Sequence, residues 1–146
     1  MKFIIALFVF CFTFNTFGNE ELPQCKNRRG DELVVSLGAY KEAFFANGKR
    51  PQVFVEGKVV QLLPEDKKGR PHQKYVINFE GLKITIVSNL EFGRVPLKVG
   101  DFVQVCGEFL KVGKDGMVHW THFDPHGGHP DGFTIHDKKL YGDEEL

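Results

Sequence analysis

Charge imbalance is almost absent from this chain: 19 Lys and Arg stand against 19 Asp and Glu in 146 residues. A broad polyanion footprint needs an excess of positive charge, so the composition argues against a polybasic nucleic-acid coat. Long apolar runs are equally scarce. Only Phe3 to Phe14 is strongly apolar. It is too short to cross a bilayer comfortably, and nothing after it approaches that length, so the chain does not read as an integral membrane protein. It also lacks internal repeats, a serine nucleophile elbow, paired Cys-x-x-Cys units and a helical metalloprotease motif. The most recognisable hydrolase and zinc signatures are therefore missing.

What is present begins with a leader. Lys2 precedes the apolar stretch, and Thr16-Phe17-Gly18 offers a small residue at its end. Residues 1–18 are therefore expected to be a signal peptide cleaved before Asn19, placing the protein in the periplasm or outside the cell. A lipidated Cys11 is the alternative, but Phe8-Val9-Phe10 lacks the small residues that usually precede one. Cys25 and Cys106 survive such cleavage. They are either bridged or two unrelated thiols, with neither reading preferred, since an oxidising compartment permits the bridge without requiring it. A polar leader is expected over 19–30, one domain over 31–142, and an acidic tail over 143–146.

Within the domain, Leu33, Leu37, Tyr40 and Phe44 recur at helical spacing. The pattern predicts an amphipathic helix over Asp31 to Ala46, capped by Asp31 and stopped by Asn47-Gly48. From Pro51 the period changes to two. Val53, Val55 and Val59 mark one strand, Lys74 to Phe79 a second, and Leu82 to Val87 a third, joined to the second through Glu80-Gly81. Phe102 to Leu110 and Met117 to His122 complete five. With Gly57 where the first strand must bend, the expected fold is mainly β: a small OB-like (oligonucleotide/oligosaccharide-binding) five-stranded barrel with an N-terminal amphipathic helix. An open antiparallel sheet carrying the helix is the alternative.

The densest chemistry lies in His119-Trp120-Thr121-His122-Phe123-Asp124-Pro125-His126-Gly127-Gly128-His129, which holds four of the six histidines. In a straight strand His119 and His122 face opposite sides, so they cannot share an ion unless the strand ends or bends near Thr121. The glycines and prolines that follow allow His129 to fold back, and His72 in the first interstrand loop borders the same face. His72, His119, His122, Asp124 and His129 are the candidate ligands for a transition metal such as zinc or copper. Gln73, Trp120 and His136 join them as candidate ligand-binding residues.

The expected function is a small exported ligand-binding domain with a histidine-rich, metal-capable site. One alternative is a metal-dependent hydrolase acting on phosphodiesters or nucleic acid, and another is a secreted interaction or inhibitor module. Catalysis has less support than binding, because neither cysteine has nucleophile surroundings. Partners would be a small ligand or a protein. Nucleic acid has weak support from the basic loop Lys67-Lys68-Gly69-Arg70 with Tyr75, Phe79 and Trp120 as stacking surface.

The stretch Val53 to Tyr141 resembles a bacterial exported family, domain of unknown function 3465. The resemblance is carried by Leu62-Leu63-Pro64-Glu65-Asp66, Gly69, His72-Gln73, Val99-Gly100-Asp101, Gly107-Glu108, His119-Trp120-Thr121-His122, Asp124-Pro125, Gly128-His129, Gly132 and His136. It implies export and a compact domain and carries no activity with it. This chain departs from the family pattern at Phe123, where a second consecutive histidine is usual, and at Phe133, where tryptophan is usual.

Overall fold

The computed structural model describes residues 22–66, 68–113 and 115–143. The expected signal peptide and the last three residues of the acidic tail lie outside them. Element order is α1 (Leu37–Ala43), β1 (Gln52–Leu63), β2 (His72–Phe79), β3 (Leu82–Asn89), a 3-10 turn (Leu90–Phe92), β4 (Phe102–Val112), β5 (Asp115–His119), β6 (Phe133–His136) and β7 (Lys139–Tyr141). Among the described residues no helix is long and apolar enough to cross a membrane.

The helix is much shorter than periodicity suggests. Its cap is Ser36, whose Oγ accepts the Ala39 N–H at 3.0 Å, and not Asp31. Tertiary bonds keep residues before Ser36 extended: Leu33 N–H donates to Cys25 O at 2.8 Å, Lys26 bridges Glu32, and Ser36 N–H donates to Phe54 O at 3.1 Å. The β-branched pair Val34-Val35 loses side-chain freedom in a helix, so little is sacrificed by this arrangement.

Seven strands form one sheet in the order β1-β2-β3-β5-β4-β6-β7, and β1 also pairs with β4. The extra pairing links five strands in a partial ring. All neighbours in it are antiparallel except β3 and β5, which run parallel through Thr85↔Met117 and Ile86↔Val118. Alternation fills the interior as expected: Val53, Val55 and Val59 from β1, Tyr75 and Ile77 from β2, Ile84 and Ile86 from β3, Val103, Val105 and Phe109 from β4, and Val118 from β5. Gly57 permits the close crossing of β1 over β2, since a Cβ there would stand 2.3 Å from Asn78 O. At one mouth of this core Tyr40 and Phe44 of the helix segment meet Phe109 edge-on, with centroids 5.3 and 4.8 Å away.

β6 and β7 extend the sheet outward from β4, and the period-two reading did not find them. Both are short, and β6 emerges from a glycine- and proline-biased stretch. They cover a second, smaller cluster of Phe133, Cys25 and Cys106 with Leu33, Phe54, Phe123, Ile135 and Leu140. Here Cys25 and Cys106 are joined as a disulfide, with sulfurs 2.00 Å and Cα atoms 5.6 Å apart. The bond ties the leader to the outer face of β4.

Candidate functional site

Strand direction explains why distant histidines meet. His72 opens β2 opposite Asn89 at the end of β3, and β3 runs parallel to β5, which ends at His119. The start of β2 and the ends of β3 and β5 therefore lie at one end of the ring. The His72 and His119 ring centroids are 5.1 Å apart.

Beyond His119 the strand stops three residues earlier than alternation predicts. Trp120 adopts φ +51°, a left-handed turn rare for so bulky a residue, and this turn releases the following residues from strand alternation. The redirected loop is clamped by Thr121 Oγ1 to Ser88 Oγ (2.9 Å), Phe123 N–H to Gly142 O (2.7 Å) and Gly132 N–H to His122 O (2.9 Å). Gly132 is obligatory at this contact, since a Cβ would meet Trp120 O at 2.0 Å and Cys106 O at 2.7 Å.

Asp124 organises the rest of the loop. Its carboxylate accepts the backbone N–H groups of His126 and His129, each at 2.9 Å, and these bonds hold its pKa down at about 2. Its own N–H donates to Asp131 Oδ1 at 2.9 Å. His129 thereby returns to the cluster, 4.8 Å from the His122 ring and 5.9 Å from Trp120. Phe92 stacks on His122 at 3.9 Å, and the Arg50 guanidinium lies 5.0 Å over the Trp120 ring.

Hydrogen bonds assign the tautomers, because a carbonyl can only accept and an amide N–H can only donate. His119 Nδ1 accepts the Trp120 N–H at 2.8 Å, so in the neutral ring the proton is on Nε2. His122 and His129 are the reverse: each Nδ1–H donates to a carbonyl, Phe123 O and Pro130 O, both at 2.8 Å. In the neutral rings their Nε2 atoms keep the lone pairs, that of His129 lying 3.9 Å from Asp124 Oδ2. Burial, reinforced by the neighbouring histidines and Arg50, pushes the His119 pKa down to about 4; burial also lowers His122. Both are thus neutral at pH 7.

The structure brings together His72, His119, Trp120, His122, Asp124 and His129. Gln73 stands apart, with both ends of its buried amide spent on Val95: Nε2 donates to Val95 O at 2.8 Å and Oε1 accepts Val95 N–H at 3.1 Å. His136 is buried in β6, its Nε2 3.1 Å from Asp101 Oδ2. Its other charged neighbour is Asp137, at 3.6 Å. Among the described residues no three histidine, cysteine or carboxylate side chains converge as a metal cage. His122 and His129 are instead a pair. Two imidazoles sharing a tetrahedral ion through nitrogens at about 2 Å would have centroids about 5 Å apart, close to what is observed.

Sequence inspection missed a groove of about 830 Å³ beside this loop. Arg28, Arg29, Lys49, Arg50, Gln52, Glu108, Trp120 and His129 contribute to its lining. Its cations come from the leader and from the turn before β1, which show no motif. In the basic loop that the sequence does advertise, Arg70 pairs with Glu91, and beside it Asp66 pairs with Lys74 and His72 and Glu65 with Arg94, while Lys68 is exposed without a carboxylate partner among the described residues.

The family model described as "Protein of unknown function (DUF3465)" matches residues 32–142, and the chain belongs to that family. No curated protein matches the chain.

Proposed function

Proceeding from that membership and from the loop geometry, we propose that this is an exported ligand-binding domain built as an OB-like barrel. Its site takes a divalent transition-metal ion, zinc or copper, on His122 and His129, leaving further coordination positions to a ligand from solution. The observation that carries this reading is the paired tautomer: both Nδ1–H groups are tied to backbone carbonyls, and the Nε2 lone pairs belong to rings 4.8 Å apart, with the Asp124 carboxylate 3.9 Å from that of His129. Fixing the far nitrogen in this way is how proteins orient and sharpen a histidine ligand. His119 has the opposite tautomer and offers an N–H, so its role is hydrogen-bond donation to whatever occupies the site.

The barrel assignment rests on the ring pairings together with the inward alternation of β1 to β5. Export rests on the apolar leader and on the buried disulfide, a bond that persists in oxidising compartments. Metal analysis after native purification, followed by zinc and copper titrations, tests the function. Wild type and His119→Ala should bind stoichiometrically, whereas His122→Ala and His129→Ala should not. Equal binding by all four proteins, or none by wild type, would refute the assignment.

A further inference from the structure

The groove carries a second inference, one that needs no metal on His122 and His129, although His129 is part of its lining. Its four cations are not equivalent. Arg28 is engaged by Glu108 at 3.6 Å and by Gly128 O at 3.1 Å, and Arg29 by Asp31 at 3.2 Å. Lys49 and Arg50 have no carboxylate partner among the described residues, and both are exposed. An excess of positive charge therefore sits on one wall. Arginine forks match the oxygens of a phosphate group, and lysine adds a point charge.

Two further features call for more than a bare anion. Gln52 is 8% exposed and lines the groove; its Nε2 donates to Asp131 O at 2.9 Å, while its Oε1 is buried without any hydrogen-bond donor. A buried acceptor left unmatched is costly, so an occupant presenting an N–H or O–H would gain from it. Trp120 supplies the aromatic surface, with Arg50 lying over the indole. A planar base can stack on an indole or on a guanidinium plane, whereas a saccharide would need the indole face that Arg50 covers.

We propose that this groove binds nucleotides, either free or as part of a single strand. The phosphate lies against Lys49 and the two leader arginines, the base stacks on the Arg50 guanidinium where it lies over Trp120, and a sugar or base donor reaches Gln52. The volume is of the order expected for a small-molecule site. A net charge of zero over the chain is no obstacle, since Lys49 and Arg50 set two cations without a carboxylate partner among the described residues on one wall of the groove.

Trp120 is the chain's only tryptophan, so its fluorescence reports on this groove directly. The test titrates adenosine monophosphate, a short oligothymidylate, inorganic phosphate and a sulfated saccharide into the full protein, with chelator present throughout. Both nucleotide probes should give saturable changes, and the Lys49→Ala/Arg50→Ala variant, its folding checked by circular dichroism, should bind about tenfold more weakly. Tighter binding of the oligonucleotide would identify a strand as the source, and equal binding a free nucleotide; either supports the proposal. Phosphate or the sulfated saccharide binding as tightly as the nucleotides would overturn it, as would an unaffected variant or the absence of any nucleotide response. His122→Ala, at a residue that does not line the groove, should respond like wild type in this assay, so failure of the metal reading and failure of this one remain separable.

Discussion

Removing the Cys25–Cys106 disulfide tests how the leader is held. The bond spans 81 residues of sequence, and closing a loop of that length lowers unfolded-chain entropy by about 15 cal/mol/K, or about 4.5 kcal/mol at 25 °C. That figure is an upper bound on the global effect. Apart from the disulfide, the leader is attached by the Leu33 and Ser36 backbone bonds, by Leu33 packed in the smaller cluster and by Arg28, so without it the segment can detach while the ring stays folded. Cys25→Ala/Cys106→Ala should therefore lose about 2–4 kcal/mol in urea unfolding. In native-state hydrogen exchange the Leu33 amide should open before those of β2 and β3. A variant within about 0.5 kcal/mol of wild type, with Leu33 protection unchanged, would refute the reasoning.

Gly132→Ala should cost about 3 kcal/mol and abolish metal uptake, because the added carbon meets backbone at 2.0 Å on a segment that cannot retreat from Cys106; a thermal melt with a zinc titration checks both. His119 has a pKa of about 4 when folded and an ordinary value of 6.5, so between those values the unfolded chain binds more protons. Its contribution to stability is thus constant above pH 6.5 and declines as pH falls toward 4. After allowance for solvent screening the loss should be about 1 kcal/mol, and urea midpoints for His119→Gln should show a shallower acid slope than wild type. Long-range nitrogen–proton NMR spectra should find the neutral His119 proton on Nε2 and those of His122 and His129 on Nδ1. The opposite assignment for either of the latter two would remove the metal reading.

The ring was legible because its signal is local. Period-two alternation from Val53 onward and the Glu80-Gly81 turn, where both residues have positive φ, follow from residue type alone. The helix was overextended because Leu33 satisfies helical spacing with Leu37, Tyr40 and Phe44 while the Leu33 and Ser36 N–H groups are claimed by Cys25 and by Phe54 of the sheet. Tertiary hydrogen bonds of that kind leave no mark on periodicity. His72 and His119 were identified through topology, but the left-handed Trp120 was not, since the groups packed on it and its neighbours, Gly132 against Trp120 O, Gly107 against His119 O and Ser88 on Thr121, come from across the fold. The groove was hidden for a similar reason. Arg28, Arg29, Lys49 and Arg50 lie in two polar stretches with no shared pattern, and only the disulfide and the start of β1 make them neighbours.

The parallel seam between β3 and β5 sets an order on biosynthesis. A nascent chain that has emerged only as far as Val112 has β3 and β4 with unpaired edges, since the strand that sits between them is still to come. Such edges are templates for intermolecular pairing, so this precursor is the species most exposed to aggregation and to quality-control proteases. Ribosome-stalled or C-terminally truncated chains should consequently be recovered in the insoluble fraction, and solubility should return in part once residues 115–119 are included and fully once residues 133–136 cover the part of β4 that β5 leaves open.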